Sequence, residues 1–357
     1  MKNIILTTLN ARYSHTSLGL RYLIANLKEL KEQTEILEFV INSSIQTIAE
    51  QILEKNPKII GIAVYIWNAF DVGELVKTIK KVSPETIVVL GGPEVSYTPL
   101  RVNFDMADYI ICGEGEVSFY ELCKELFEGT CTQTRVINSP KVELDKVVLP
   151  YDDYTDFDIK NRHIYVEMAR GCPFECEFCL SSIETKMRYL DIDIFLEQLD
   201  KLWNRGARNF KFIDRTFNIK ISYAKAILNY FLAKEEEYFL HFEVIPDNFP
   251  EELRDLISKG VNSSDFISAL TVCEPIYPAP PVTRIFILCS FPQEIQTYKE
   301  FPTTSLSSSF SSMYGNHPPN HLFGAHIPQW LSKSPAYLRY HIVCPQNSMR
   351  THSLHEP

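Results

Sequence analysis

The chain has 357 residues, 45% of them hydrophobic, and a formal net charge of −10. That length allows two or three domains, and the acidic balance argues against nucleic acid as the main partner, because phosphate binding needs a surplus of Lys and Arg. No apolar run is long enough to span a membrane, and the apolar stretch in "MKNIILTTLNARYSH" is too short for a signal peptide, so a cytoplasmic protein is expected.

In chain order, "NIILTTL" reads as a strand and "LGLRYLIANLKEL" as a helix with apolar residues three and four apart. "TEILEFV" is a second strand and "IQTIAEQILEK" a second helix. "KIIGIAVYI" is a near-continuous apolar run, as in a strand buried on both faces. "FDVGELVKTIKKV" is helical, "ETIVVLGG" is a strand ending in glycines, and "ADYIICGEGE" contains a shorter strand. "VSFYELCKELFEG" closes the series as a helix stopped by glycine. Such alternation predicts a doubly wound, Rossmann-like α/β domain over residues 1–130, with a parallel sheet between helices.

Residues 131–160 have linker composition. A second series follows over 161–260: strand "HIYVEMA", helix "DIDIFLEQLDKLWNRG", strand "NFKFIDRTF", helix "ISYAKAILNYFLAKEEE", strand "FLHFEVI" and helix "PEELRDLISKG". These make three β/α units of a partial barrel. Beyond Gly260 the periodicity stops. Residues 261–357 hold 12 of the 21 prolines and 10 of the 80 charged residues. An irregular Pro/Ser-rich tail is expected there, either a disordered product of a shifted reading frame, the favoured reading, or a native irregular region.

Nine cysteines in a cytoplasmic chain do not suggest a disulfide framework, and clustered ones suggest metal or redox work. Cys172, Cys176 and Cys179 lie in "GCPFECEFC", spaced C-x3-C-x2-C, directly after a predicted strand. Three thiolates there can hold three irons of a four-iron cluster and leave the fourth open to an exogenous ligand. A structural zinc site prefers four protein ligands. A zinc or redox-sensing module is the competing reading, and Cys112 and Cys123 read as small core residues.

With its aromatic Phe178, the motif resembles the signature of radical S-adenosylmethionine (SAM) enzymes. The resemblance implies a [4Fe-4S] cluster on Cys172, Cys176 and Cys179. SAM would chelate the open iron and be cleaved to a 5′-deoxyadenosyl radical, with electrons from a donor such as ferredoxin or flavodoxin. It also implies that Phe178 sits by the adenine or shields the cluster, while Arg170 and Gly171 shape the loop. "FIDRTFN" resembles the second barrel strand of cobalamin-dependent members. Asp214, Asn218 and Glu243 are then candidate SAM contacts, although Asp214 can equally pair with Arg215 or cap a turn. The family barrel has more β/α units than the three readable here. A truncated, non-catalytic cobalamin and iron–sulfur protein is therefore the alternative to a complete enzyme.

"VVLGGPEVSYTP" followed by "ADYIICGEGEVSFYEL" resembles the cobalamin-binding domain that precedes the barrel in one radical SAM subgroup. Glycines ending a buried strand let backbone approach a flat ligand at the carboxyl edge of an open sheet. Candidate cobalamin contacts are Gly91, Gly92, Pro93, Glu94, Gly113, Gly115 and Glu116. Asn10, Arg12 and Tyr65 lie at other strand ends and line the same site or serve as loop and core residues. The D-x-H-x-x-G cobalamin signature fails: Tyr13 stands in place of aspartate, Gly19 falls one position late, and His15 is not assigned to cobalt. Chain start, "YIWN" and "FIDRTFN" look closest to an uncharacterised subfamily with a further C-terminal domain. Resemblance covers about residues 1–260 and implies an enzyme, of a subgroup that commonly methylates carbon or phosphorus centres of small-molecule substrates.

Overall fold

The computed structural model describes residues 2–97, 100–131, 133–176, 179–245 and 249–260, with the backbone of two further strands at 269–272 and 283–286. The chain divides into two units, Met1–Ser290 and Phe291–Pro357. The second, and with it most of the expected irregular tail, lies outside the described residues.

The first series runs β1 (Ile4–Asn10), α1 (Leu18–Ala25), β2 (Thr34–Val40), α2 (Ile45–Leu53), β3 (Ile59–Ala63), α3 (Ala69–Val82), β4 (Ile87–Gly91), α4 (Pro93–Ser96), β5 (Tyr109–Cys112) and α5 (Glu116–Glu128). Its strands form a parallel sheet of order β2-β1-β3-β4-β5, extended at the edge by β6 (Val136–Asn138). The chain starts mid-sheet, winds outward to β2, then reverses at β3. That reversal opens a crevice beyond the carboxyl ends of the strands, where such sheets bind ligands.

Side-chain alternation explains the two cores. Ile5 and Leu9 of β1 face Ile48 and Ile52 of α2 and Val72, Leu75 and Ile79 of α3. Ile4 and Leu6 face the opposite way, toward Leu20 and Ile24 of α1 and Phe119, Leu122 and Cys123 of α5. Ser17 and Ser44 cap α1 and α2 as N-cap side chains should.

The segment expected to be a linker is packed. β6 pairs with β5 through Ile110↔Val136. α6 (Asp156–Asn161) begins with a Thr155–Asp158 capping box. Tyr151 and Tyr154 are each 1% exposed, and their hydroxyls donate to the Glu167 and Tyr165 carbonyls. Three-residue β6 is too short to show a period, which is why composition alone reads as a linker.

The second series comprises β7 (Ile164–Val166), β8 (Ala169–Arg170), β9 (Arg188–Tyr189), α7 (Ile192–Asn204), β10 (Asn209–Phe212), α8 (Ile221–Leu232), β11 (Phe239–His241), α9 (Glu251–Gly260), β12 (Ala269–Val272) and β13 (Thr283–Phe286). β7, β10 and β11 form a parallel sheet in sequential order, as in the wall of a β/α barrel. One face carries Ile164, Val166, Phe210 and Phe212 into a core with Phe195 and Leu199 of α7 and Ile227 and Phe231 of α8. β12 and β13 pair as an antiparallel hairpin.

Candidate cofactor site

The cysteine loop is held at its neck. β8 and β9 pair antiparallel through Ala169↔Tyr189 and Arg170↔Arg188, so the chain leaves and re-enters the body side by side. Cys172 N–H donates to the Glu184 carbonyl at 2.8 Å inside that neck. Gly171 has φ +95°, and a Cβ there would lie 2.5 Å from the Lys186 carbonyl oxygen. Only glycine fits that conformation and that close approach.

Within the loop, Cys172 and Cys176 are each 4% exposed and Cys179 is half-buried. All three are free thiols. Burial pushes the Cys172 thiol up, and its two neighbouring cysteines add to the effect. Burial, with Cys179, likewise raises Cys176. Three thiols on one loop offer the soft donors that iron–sulfur clusters take. Among the described residues, no three His, Cys, Asp or Glu side chains are drawn into a ready metal-holding group. The loop supplies the donor set without a closed cage. Phe178 lies outside the described residues.

Asp214 follows β10 and is 4% exposed. Its carboxylate accepts from Met168 N–H at 3.1 Å and Ala169 N–H at 2.6 Å, the residues that lead into the cysteine loop. Its oxygens therefore hold the loop's entry strand. Burial pushes its carboxyl up to about 7, against those amides and with help from Glu167. The unfolded carboxyl ionises near its ordinary 3.8, so below that pH both states carry the proton. As pH rises the unfolded chain ionises first, and native stability falls until the folded carboxyl ionises near 7. Relative to Asp214→Asn, wild type should lose a few kcal/mol of stability between about pH 4 and 7, falling by about 1.4 kcal/mol with each tenfold drop in proton concentration. Denaturant titrations across that range measure it, and a difference that stays constant with pH would refute this.

Asn218 and Glu243 have structural partners. Asn218 bridges to Ile245, donating to its carbonyl at 2.8 Å and accepting from its N–H at 2.7 Å. Glu243 pairs with Arg215 at 3.3 Å.

At the carboxyl edge of the six-stranded sheet is a cavity of about 290 Å³. It brings together Tyr65, Gly91, Gly92, Gly113, Gly115 and Glu116, all expected from the sequence. Gly92 (φ +101°) presses against Val64, whose carbonyl would lie 2.6 Å from a Cβ. This close turn leaves backbone at the cavity rim, which suits a broad flat ligand. Four expected residues are not among its lining. Asn10 donates to the His15 carbonyl and to Glu38. Arg12 and Pro93 are exposed. Glu94 pairs with Arg101 at 3.4 Å. His15 also stands apart from the lining: its Nδ1 lies 2.6 Å from the Tyr165 hydroxyl, and burial with nearby Lys211 lowers its pKa to about 4.

The sequence did not reveal the wall that joins cavity and cysteine loop. Arg170 and Glu167, from the neck of the loop, line the cavity alongside Tyr22 and Glu114. Arg170 pairs with Glu116 at 2.7 Å, Glu167 at 2.9 Å and Glu114 at 3.3 Å, and its guanidinium lies 4.8 Å from the Tyr22 ring centre. Arg188 pairs with Glu114 and, at 2.8 Å, with Glu184. The only sequence signal for this was two acidic residues in "GEGE" and arginines flanking the cysteines.

Residues 4–123 match the B12 binding domain family. An uncharacterised methyltransferase of Pyrococcus horikoshii is 28% identical over 225 residues, which cover 57% of this chain and 49% of that protein. TokK of Streptomyces tokunonensis, a cobalamin-dependent radical SAM methyltransferase, is 28% identical over 160 residues, 38% of this chain and 23% of its own. The chain spans about half or less of the length of these relatives. Among solved structures, the radical SAM methyltransferase TsrM of Kitasatospora setae, bound to tryptophan and a SAM analogue, superposes with a TM-score of 0.55. It does so at 18% identity over 72% of this chain and 57% of its own, a likeness of fold.

Match and sheet together define the N-terminal part as a B12-binding domain. In this chain that domain precedes a three-cysteine loop carried on a parallel β/α sheet. Among the described residues, no helix is long and apolar enough to cross a membrane.

Proposed function

We propose that this chain is a cobalamin-dependent radical SAM enzyme of the methyltransferase kind, acting on a small molecule in the cytoplasm. The observation that carries the reading is the shared wall. The cavity at the glycine edge of the B12-binding domain is bounded on one side by Glu167 and Arg170, the latter two residues before Cys172. The cavity and the neck of the cysteine loop are therefore adjacent, which supports a reading in which methyl transfer is coupled to radical chemistry.

Cys172, Cys176 and Cys179 would hold a [4Fe-4S] cluster, and the cavity edge formed by Gly91, Gly92, Gly113 and Gly115 would hold cobalamin. Bound there, the cluster with SAM supplies reductive carbon–sulfur cleavage and cobalamin a transferable methyl group. The chain's own residues bind and orient. Asp214 fixes the strand entering the loop, the β8–β9 neck sets where the sulfurs point, and the buried Cys172 and Cys176 keep water from two of the three donors. Electrons would come from a small donor protein such as a ferredoxin or flavodoxin.

A second reading, cobalamin and cluster binding without turnover, is favoured by the parallel β/α sheet having only three strands among the described residues. Anaerobic reconstitution of the full chain with iron, sulfide and hydroxocobalamin separates the two. The enzyme reading expects visible iron–sulfur absorbance that bleaches on reduction, bound cobalamin, and SAM converted to 5′-deoxyadenosine. Both cofactors bound with no cleavage would support the second reading, and stoichiometric zinc with no iron would overturn both.

A further inference from the structure

We propose that Arg170 is a positioning residue that couples the two cofactor sites, so that cobalamin in the cavity steadies the cysteine loop and a cluster on that loop tightens cobalamin binding. This rests on the cofactor reading above. Its own support is the way one guanidinium is shared.

Arg170 stands on β8, two residues ahead of Cys172, and its guanidinium reaches the B12-binding domain. There it meets Glu116, the first residue of α5, at 2.7 Å, and Glu114 on the turn before that helix at 3.3 Å. Both carboxylates line the cavity. On the other arm of the neck, Arg188 of β9 also grips Glu114 and donates to the Val142 carbonyl at 2.8 Å. Glu114 in turn accepts from Val142 N–H at 2.7 Å. The turn bearing Gly113 and Gly115 is thus held by both arms of the hairpin that carries the cysteines.

The side chains involved are shielded. Arg170 is 12% exposed, Glu116 7% and Glu114 18%. Shielded, multiply bonded guanidinium–carboxylate contacts keep their geometry and resist screening by salt, unlike single surface pairs. A ligand that fixes the Gly113–Gly115 turn therefore fixes where Arg170 and Arg188 can sit, and with them the neck of the cysteine loop. Displacing the hairpin must likewise displace the cavity wall. Such a coupling is reciprocal by thermodynamic necessity.

The test uses the full chain, reconstituted anaerobically with iron and sulfide, and measures iron loss to a ferrous chelator with and without hydroxocobalamin. In wild type, hydroxocobalamin should slow iron loss by about fivefold or more, and the cluster should tighten hydroxocobalamin binding by a matching factor, within the usual range for coupled sites. In Arg170→Gln the ratio should fall at least twofold, with Arg188 sustaining what coupling remains, while the cobalamin-free cluster keeps its visible spectrum. Arg170→Lys, which keeps the charge and loses the fork, should restore only part of the ratio. If Arg170→Gln does not fold, Arg170→Lys carries the test alone, and its ratio should lie below that of wild type. A wild-type ratio of one, or a ratio unchanged in the variants, overturns the coupling alone. A wild-type chain that takes up no cluster, or no cobalamin, overturns the underlying cofactor reading and the coupling with it.

Discussion

Cys172→Ala, Cys176→Ala and Cys179→Ala should each leave the reconstituted chain without a stable iron–sulfur absorbance while hydroxocobalamin still binds. Each sulfur would supply one iron with its only protein ligand, so removing one leaves two attachment points for a four-iron cluster. The loop itself should keep its path. Its neck is tied by the β8–β9 pairing and by Cys172 N–H to the Glu184 carbonyl, contacts of the backbone that alanine retains. The B12-binding core is built from α1, α2, α3 and α5 and contains none of these cysteines. Iron and sulfide analysis beside the cobalamin spectrum gives the readout. A variant that keeps a full complement of iron would show that its cysteine is not a ligand.

Arg21→Ala should destabilise the chain by about 3–5 kcal/mol, the usual cost of removing one partner from a buried ion pair. Arg21 joins three parts of the sequence. Its guanidinium meets Glu38 of β2 and Asp158 of α6, each at 2.9 Å, with side-chain exposures of 3%, 5% and 5%. It donates to the Ser17 carbonyl at 2.9 Å and lies 4.6 Å from the Tyr154 ring centre. Burial would raise the Asp158 carboxyl, but Arg21 and the Thr155 hydrogen bonds overcome it and hold it below its ordinary value. Without Arg21, the two buried carboxylates share, among the described residues, only Arg162 as a cationic partner, 3.2 Å from Glu38 and 3.4 Å from Asp158. Combining Arg21→Met with Asp158→Asn removes one charge of each sign, leaves Glu38 paired with Arg162, and should recover part of the loss. Chemical denaturation of the three forms measures this. A loss under about 1 kcal/mol for Arg21→Ala would place the pair among weak surface contacts.

What the sequence showed and what it hid follow from the range of the forces involved. The strands and helices of the first series announce themselves because burial on both faces demands unbroken apolar runs such as "KIIGIAV", and one-sided burial demands a helical period. The cysteine motif and the glycine turns are legible because their chemistry is local. Contacts between distant segments are not. Asp214 reads as a ligand contact because it ends a barrel strand, yet its oxygens bind Met168 and Ala169, 46 and 45 residues earlier. Asn10 reads as a cavity residue, but Glu38 and His15 claim it. Likewise no period or spacing reveals that Arg170 reaches Glu116, or that the 131–160 segment buries two tyrosines.

The sheet order has a consequence for how the polypeptide is made. The first five strands of the sheet and the buried residues of both its cores lie within the first 128 residues, so the B12-binding layer has its partners in hand while later segments are still being synthesised. Domains generally fold as units in that N-to-C order. Arg21 and Glu38 both precede Asp158 of α6 in the chain, so the trio can close only once α6 has been made. The ion pair thus acts as a docking latch, closing on the second half of the unit after the first has formed.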